Sequence, residues 1–181
     1  RVEAPMIRQR ALITVLTAAM LVTGCDACTR SSTPTPEPTE GFAIYLTDPE
    51  IRPENLVMQS HLGLAEQPLI TEADLVQYDW AKHELTFTVS GYEKLHAIKL
   101  PTSGVSFVVC VSKSPVYAGA FWPAYSSQSW DGIIIDPILM TLGRPVARIE
   151  LGYPGSSSYQ GSDPRGDERI KAALEKAGKL K

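Results

Sequence analysis

Cysteine is scarce: three residues, Cys25, Cys28 and Cys110, cannot all pair, which excludes a disulfide-built scaffold. Histidine is scarce too. His61, His83 and His96 offer no H-x-x-x-H or H-E-x-x-H spacing, so nothing signals a catalytic zinc. Basic residues are in deficit, 17 against 20 acidic, for a formal charge of −3 and a pI near 5.6. That balance argues against nucleic acid, whose binders concentrate positive charge on one surface. There is no G-x-S-x-G elbow to expose a nucleophilic serine. Gly143-Arg144-Pro145 and Gly152-Tyr153-Pro154-Gly155 read as turns, not as a phosphate loop, and no residue pattern calls for a cofactor. Long apolar runs are missing as well. Ala11 to Val22 is uncharged and largely apolar, but as a helix it spans roughly 18 Å, against about 30 Å of bilayer hydrocarbon.

What is present begins with that run. Arg8 and Arg10 flank it on one side and small residues follow on the other, the composition of a secretory signal. Its end, Val22-Thr23-Gly24-Cys25, resembles the lipobox of bacterial lipoproteins. An ordinary cleaved signal and a short anchor helix are the alternatives. The resemblance implies a lipoprotein signal peptide over residues 1–24 and a diacylglycerol on Cys25, the first residue of the mature chain. It implies a location on the extracytoplasmic face of a cell membrane, inner or outer, with membrane lipid as a partner through Cys25. Arg1 to Pro5 precede Met6 and read as upstream translated sequence. Residues 25–40 are rich in Pro and Thr, with prolines at 34, 36 and 38 and no large apolar residue. Such a stretch cannot bury enough surface to offset its ordering entropy, so a disordered, lipid-anchored tether is expected. Cys28 reads as an incidental thiol or as a second acylation site. Residues 1–24 carry three arginines and one glutamate, a net +2, so −3 becomes −5 for the remainder.

Residues 41–181 read as one domain. FAIYL (42–46) is a first strand. LVQYDW (75–80) alternates Val76, Tyr78 and Trp80 against Gln77 and Asp79, and LTFTV (85–89) places Leu85, Phe87 and Val89 inward, so an antiparallel hairpin is expected. His83 falls in its turn and should be exposed. Ser90 and Glu93 have capping-box spacing ahead of a helix over about 91–99, ended by Pro101. SFVVCV (106–111) is apolar on both faces, as a central strand is, and buries Cys110 as a small hydrophobe. VYAGAFW (116–122), GIIID (132–136) and VARIEL (146–151) follow, with Gly119 marking a bulge or a close approach. The last residues carry Ile170, Ala173, Leu174 and Ala177 at helical spacing, with Glu175 four before Lys179. The expected class is α+β: an antiparallel or mixed sheet with two main helices on one face.

The middle of this domain, PLITEADLVQYDW, HELTFTVSGYEKLHAI and SFVVCVSKSPVYAGAF, resembles the head of the first periplasmic domain of SecD, a membrane subunit of the Sec export machinery. Asp74 to Trp80, Leu85 to Leu95 and Phe107 to Phe121 carry the match, within a core of about 68–136. Ser114-Pro115 stands where the family has an Asp-Gly turn. The resemblance implies a fold and an extracytoplasmic setting, and it does not imply translocation as an activity.

The segment from Trp122 to Trp130 has a recognition composition, aromatic rings interleaved with short hydrogen-bonding side chains. The expected surface for a protein or cell-envelope ligand is Trp122, Tyr125, Ser127, Gln128, Trp130 and Asp131. Closure of the sheet core by the two tryptophans is the competing reading. Function is expected to be non-catalytic binding by a membrane-anchored lipoprotein. The alternatives are a cell-envelope hydrolase using Ser126, Ser127 or Ser129 in the same 122–131 loop, and an accessory factor in protein export or envelope assembly. Asp131 and Asp136 flank an apolar strand, where turn residues are equally expected.

Overall fold

The computed structural model describes residues 41–58 and 61–181. The expected signal peptide and tether, with Cys25 and Cys28, lie outside the described residues. Chain order is β1 (Phe42–Leu46), β2 (Ile70–Thr71), β3 (Leu75–Asp79), β4 (Glu84–Phe87), α1 (Val89–His96), β5 (Val105–Val111), β6 (Ser114–Phe121), β7 (Trp130–Ile135), β8 (Val146–Tyr153) and α2 (Glu168–Lys176). The strands form one eight-stranded sheet in the order β2-β1-β5-β6-β7-β8-β4-β3. Every pair is antiparallel except β6 with β7, so the sheet is mixed, and with two helices the class is α+β.

β5 lies between β1 and β6, and its two faces feed two cores. Phe107 and Val109 face a large cluster with Phe42, Ile44, Phe121, Ile133, Ile135 and Ile149, which Leu95 of α1 and Ile170 and Leu174 of α2 join. Val108 and Cys110 face the other way, with Ala43 and Tyr45, under Leu62 and Leu64 of the β1–β2 connection. The Ser106 hydroxyl donates to the Ile51 carbonyl in the same connection. Burial on both faces is why this strand carries no alternation. Gly119 of β6 marks a close approach: a Cβ there would stand 2.5 Å from the Phe107 ring and 2.7 Å from the Ile133 carbonyl. The β5–β6 turn is Ser112-Lys113, both at positive φ (51° and 61°), so Ser114 and Pro115 already belong to β6.

Four local expectations are displaced. The β3–β4 register shifts between Leu75 and Gln77, so Leu75 and Tyr78 point inward and Val76 is 53% exposed. Val89 is also exposed, because it opens α1 and does not extend β4. The cap of α1 is Thr88, whose hydroxyl accepts from the Gly91 amide at 3.2 Å, while Ser90 donates to Asp74 at the same distance. Asp74 holds this corner together. Its carboxylate accepts from the Thr71 amide (2.9 Å), the Thr71 and Ser90 hydroxyls and Lys94 Nζ (2.8 Å). Finally, α2 stops at Lys176, and Lys179 Nζ reaches the Leu75 carbonyl at 2.7 Å instead of Glu175. The residues around it extend along the outer edge of β3: Tyr78 N donates to Lys179 O and Lys181 N to Tyr78 O.

Candidate functional site

The site grows from the one parallel pair in the sheet. A parallel connection must carry the chain back along the sheet, normally through a dozen residues or more and a helix. Here residues 122–129 do it between Phe121 and Trp130. Too short for a helix to form and pack, the segment is held against the sheet by its own aromatic residues. Trp122 is 3% exposed and stacks on half-buried Trp130, ring centroids 5.6 Å apart and planes 10° from parallel, over Ala120 and Ile134. The Trp130 ring lies back along its own strand, over Gly132, where a Cβ would stand 2.3 Å from it. Tyr153 of β8 closes the stack at 6.2 Å from Trp122. Its hydroxyl donates to the Ala124 carbonyl at 2.6 Å, with the Ser126 carbonyl at 3.2 Å as a second acceptor.

The expected site residues are therefore divided. Trp122 and Trp130 come together on the sheet. Tyr125, Ser127, Gln128 and Asp131 remain exposed on the solvent side. Tyr125 is 59% exposed, its hydroxyl 3.3 Å from the Leu100 carbonyl. Buried Ser126 donates its hydroxyl hydrogen to the Thr102 carbonyl at 2.7 Å and accepts from Gln128 N at 3.2 Å. The second bond is turn chemistry, and the first ties the crossover to the connection between α1 and β5. The Trp122 indole Nε1 is buried without a hydrogen-bond partner among the described residues.

Asp136, at the end of β7, joins this loop to the next. One carboxylate oxygen accepts from Ala124 N and the other from Ile138 N, both at 2.8 Å. Burial pushes its carboxyl above the ordinary Asp value, against the opposing pull of the Ile138, Ala124 and Leu139 amides. The second loop, residues 137–145, is fixed at three points. Asp136 caps its start, Met140 (2% exposed) is anchored in the large core, and Thr141 and Arg144 exchange backbone hydrogen bonds across its tip.

Between the two loops and the open face of β8 and β4 lies a groove of about 410 Å³. Ile134, Ala124 and Tyr153 line one part of it, and Leu139, Arg144, Arg148, Glu150, Asp136 and Glu84 the rest. Its size is in the range of small-ligand sites. Glu84 and Arg148, cross-strand partners, pair at 2.6 Å. The Arg144 guanidinium has no ion pair among the described residues. Tyr153, Arg144, Arg148 and Glu150 were not expected here from sequence. One usable signal was present: ILMTLG (138–143) is apolar, yet neither alternates nor keeps a helical period.

A second polar cluster lies under the β3–β4 turn. His83 is half-buried at φ 53°, and its Nδ1 is 2.9 Å from the Tyr78 hydroxyl, so it is not the exposed turn residue expected. Burial holds the imidazole below its ordinary value, with the nearby Arg165 acting the same way. Burial also pushes the Tyr78 phenol well up. Arg165 is itself paired with Asp163 at 2.7 Å and donates to the Ile149 carbonyl. This arrangement ties the 159–167 loop to the sheet. No group of three or more potential metal ligands occurs among the described residues. Comparison with protein-family models, curated proteins and solved structures finds no match.

Proposed function

We propose that this chain is an extracytoplasmic lipoprotein, anchored to a membrane through Cys25, whose folded body is a binding module. The observation carrying the binding reading is the groove between the two loops. Its walls are set by polar groups bonded to backbone: Tyr153 to the crossover and Asp136 to both loops. Preset walls of this kind lower the entropy cost of recognition. Glu150 stands in the groove without an ion pair among the described residues, its charge available to a partner. Tyr125, Ser127, Gln128 and Asp131 are exposed in and beside the crossover, outside the groove's own lining. The ligand class is a polar component of the cell envelope or a protein.

Two measurements test the reading. Mass spectrometry of the N-terminal peptide from membrane-extracted protein should find Cys25 as first residue, carrying a diacylglycerol mass; another N-terminus overturns the anchor. A photo-reactive residue at Glu150, in the groove and outside the 137–145 loop, should trap an envelope component in intact cells, and one at Glu175, on α2, should not. Equal trapping at both positions removes the groove as the binding site.

A fold relation to the SecD head domain is proposed alongside, supported by the order of a β3–β4 hairpin, α1 and a β5–β6 hairpin within residues 75–121. Co-purification with the translocon is the test of an accessory role in export.

A further inference from the structure

Three of the six large apolar side chains most exposed among the described residues lie in one loop: Ile138 (44%), Leu139 (72%) and Leu142 (62%). The fold spends ordering on keeping them outside. Met140, between them, is fully inside, Asp136 caps the Ile138 amide, and the Thr141–Arg144 turn holds the tip. A loop fixed in that way presents its apolar residues as a rigid wedge, without the option of folding them in. Tyr125, also exposed, sits on the neighbouring crossover that Asp136 clips to this loop.

Charge is consistent with one occupant. Residues 137–148 contain no carboxylate and two arginines, although Asp136 and Glu150 stand just outside them and line the adjoining groove. Arg148 is paired with Glu84, and Arg144, beside Leu142, is not paired. Exposed apolar side chains and an unpaired cation in one fixed loop match the headgroup–acyl boundary of a bilayer, where lipid phosphates lie just outside the hydrocarbon. We infer that the 137–145 loop docks on the membrane surface, inserting Ile138, Leu139 and Leu142 with Arg144 at the phosphates.

This rests on the lipoprotein reading for its membrane: the diacylglycerol on Cys25 holds the chain to the bilayer, and the loop contact sets how the folded body sits on it. The distances permit it. The loop leaves the end of the sheet opposite Gly41, since Phe42 pairs with Val111, Val105 with Phe121 and Phe121 with Ile135. The seven residues of β5 separate those ends by roughly 20 Å. The sixteen residues from Cys25 to Glu40 have a reach of up to roughly 50 Å at about 3.1 Å each.

The test uses the membrane-extracted chain, in a Cys28→Ser background, reconstituted in nanodiscs of phosphatidylcholine and phosphatidylglycerol. A nitroxide at Leu142→Cys should show high oxygen and low nickel-complex accessibility, and one at Glu175→Cys the reverse. In Ile138→Cys, adding Leu139→Glu should lower the membrane-contacting fraction by about tenfold, with unchanged circular dichroism. A water-exposed label at 142 overturns the proposal. Concentration-dependent spin coupling between copies also overturns it, in favour of a self-association surface. The N-terminal mass decides the anchor separately, so either claim can fail alone.

Discussion

Trp122 and Trp130 stack nearly parallel at 5.6 Å, one at each end of the short crossover between the parallel strands β6 and β7. The stack stands where a crossover helix would otherwise cover the sheet, and it depends on Gly132, the only residue type that leaves room for the Trp130 ring. Gly132→Ala should push that ring off Trp122. In a Trp80→Phe background, the expected result is loss of the tryptophan near-ultraviolet dichroism and a stability loss of about 1–3 kcal/mol. Retention of the aromatic signal would show that the ring is accommodated elsewhere.

Asp136 couples two loops through one carboxylate. Asp136→Ala should raise amide hydrogen exchange at Ala124 and Ile138 together, and leave the amides of β5 protected. Faster exchange at Ile138 with Ala124 unchanged would mean that the loops are held independently.

Asp74 is the polar centre of the β2–α1 corner. Asp74→Ala removes the acceptor of four donors at 3% exposure. The expected cost is about 2–4 kcal/mol, measured by denaturant unfolding. Burial raises the Asp74 carboxyl, but Lys94 and the Thr71 amide and hydroxyl more than offset it, and the net value lies below the ordinary 3.8. The sign follows: the ionised form is favoured by folding, so its stabilisation is complete above pH 3.8 and is lost as pH falls through the lowered value. Asp136 acts oppositely, because its raised value favours the protonated form in the fold and adds stability as pH falls through it. Asp74→Asn should therefore flatten the acid limb of the stability curve, and Asp136→Asn should steepen it.

His83 bonds to buried Tyr78 in a tight turn. Its folded value lies below 6.5, so folding favours the neutral ring. The stability it contributes is complete above pH 6.5 and is lost as pH falls through the lowered value. An NMR titration should place the His83 midpoint below 6.5, and a midpoint above it would contradict burial as the dominant influence.

Several elements were legible because one local signal decided them. β1, the β3–β4 hairpin, β5 and α2 follow from apolar period and turn residues. Misreadings came where a distant group outbid the local pattern. Ser90 and Glu93 have box spacing, but Asp74 takes the Ser90 hydroxyl and Thr88 becomes the cap. Val76 has the right parity, but a register shift turns it outward.

For the site, composition singled out the aromatic crossover and no more. An indole reads alike whether it meets a ligand or another indole, and only the parallel pairing of β6 with β7 put Trp122 against Trp130. The groove depends on Tyr153, Asp136 and Arg144, which come from different strands and loops and share no sequence window. The sequence by itself determined most of the strands, though not β2, and the α+β class, since each depends on composition or near neighbours. The tertiary structure alone decided which apolar residues stay outside. Met140 goes in while Leu139 and Leu142 stay out, because a loop pinned by Asp136 and its own turn can offer the core only one side chain.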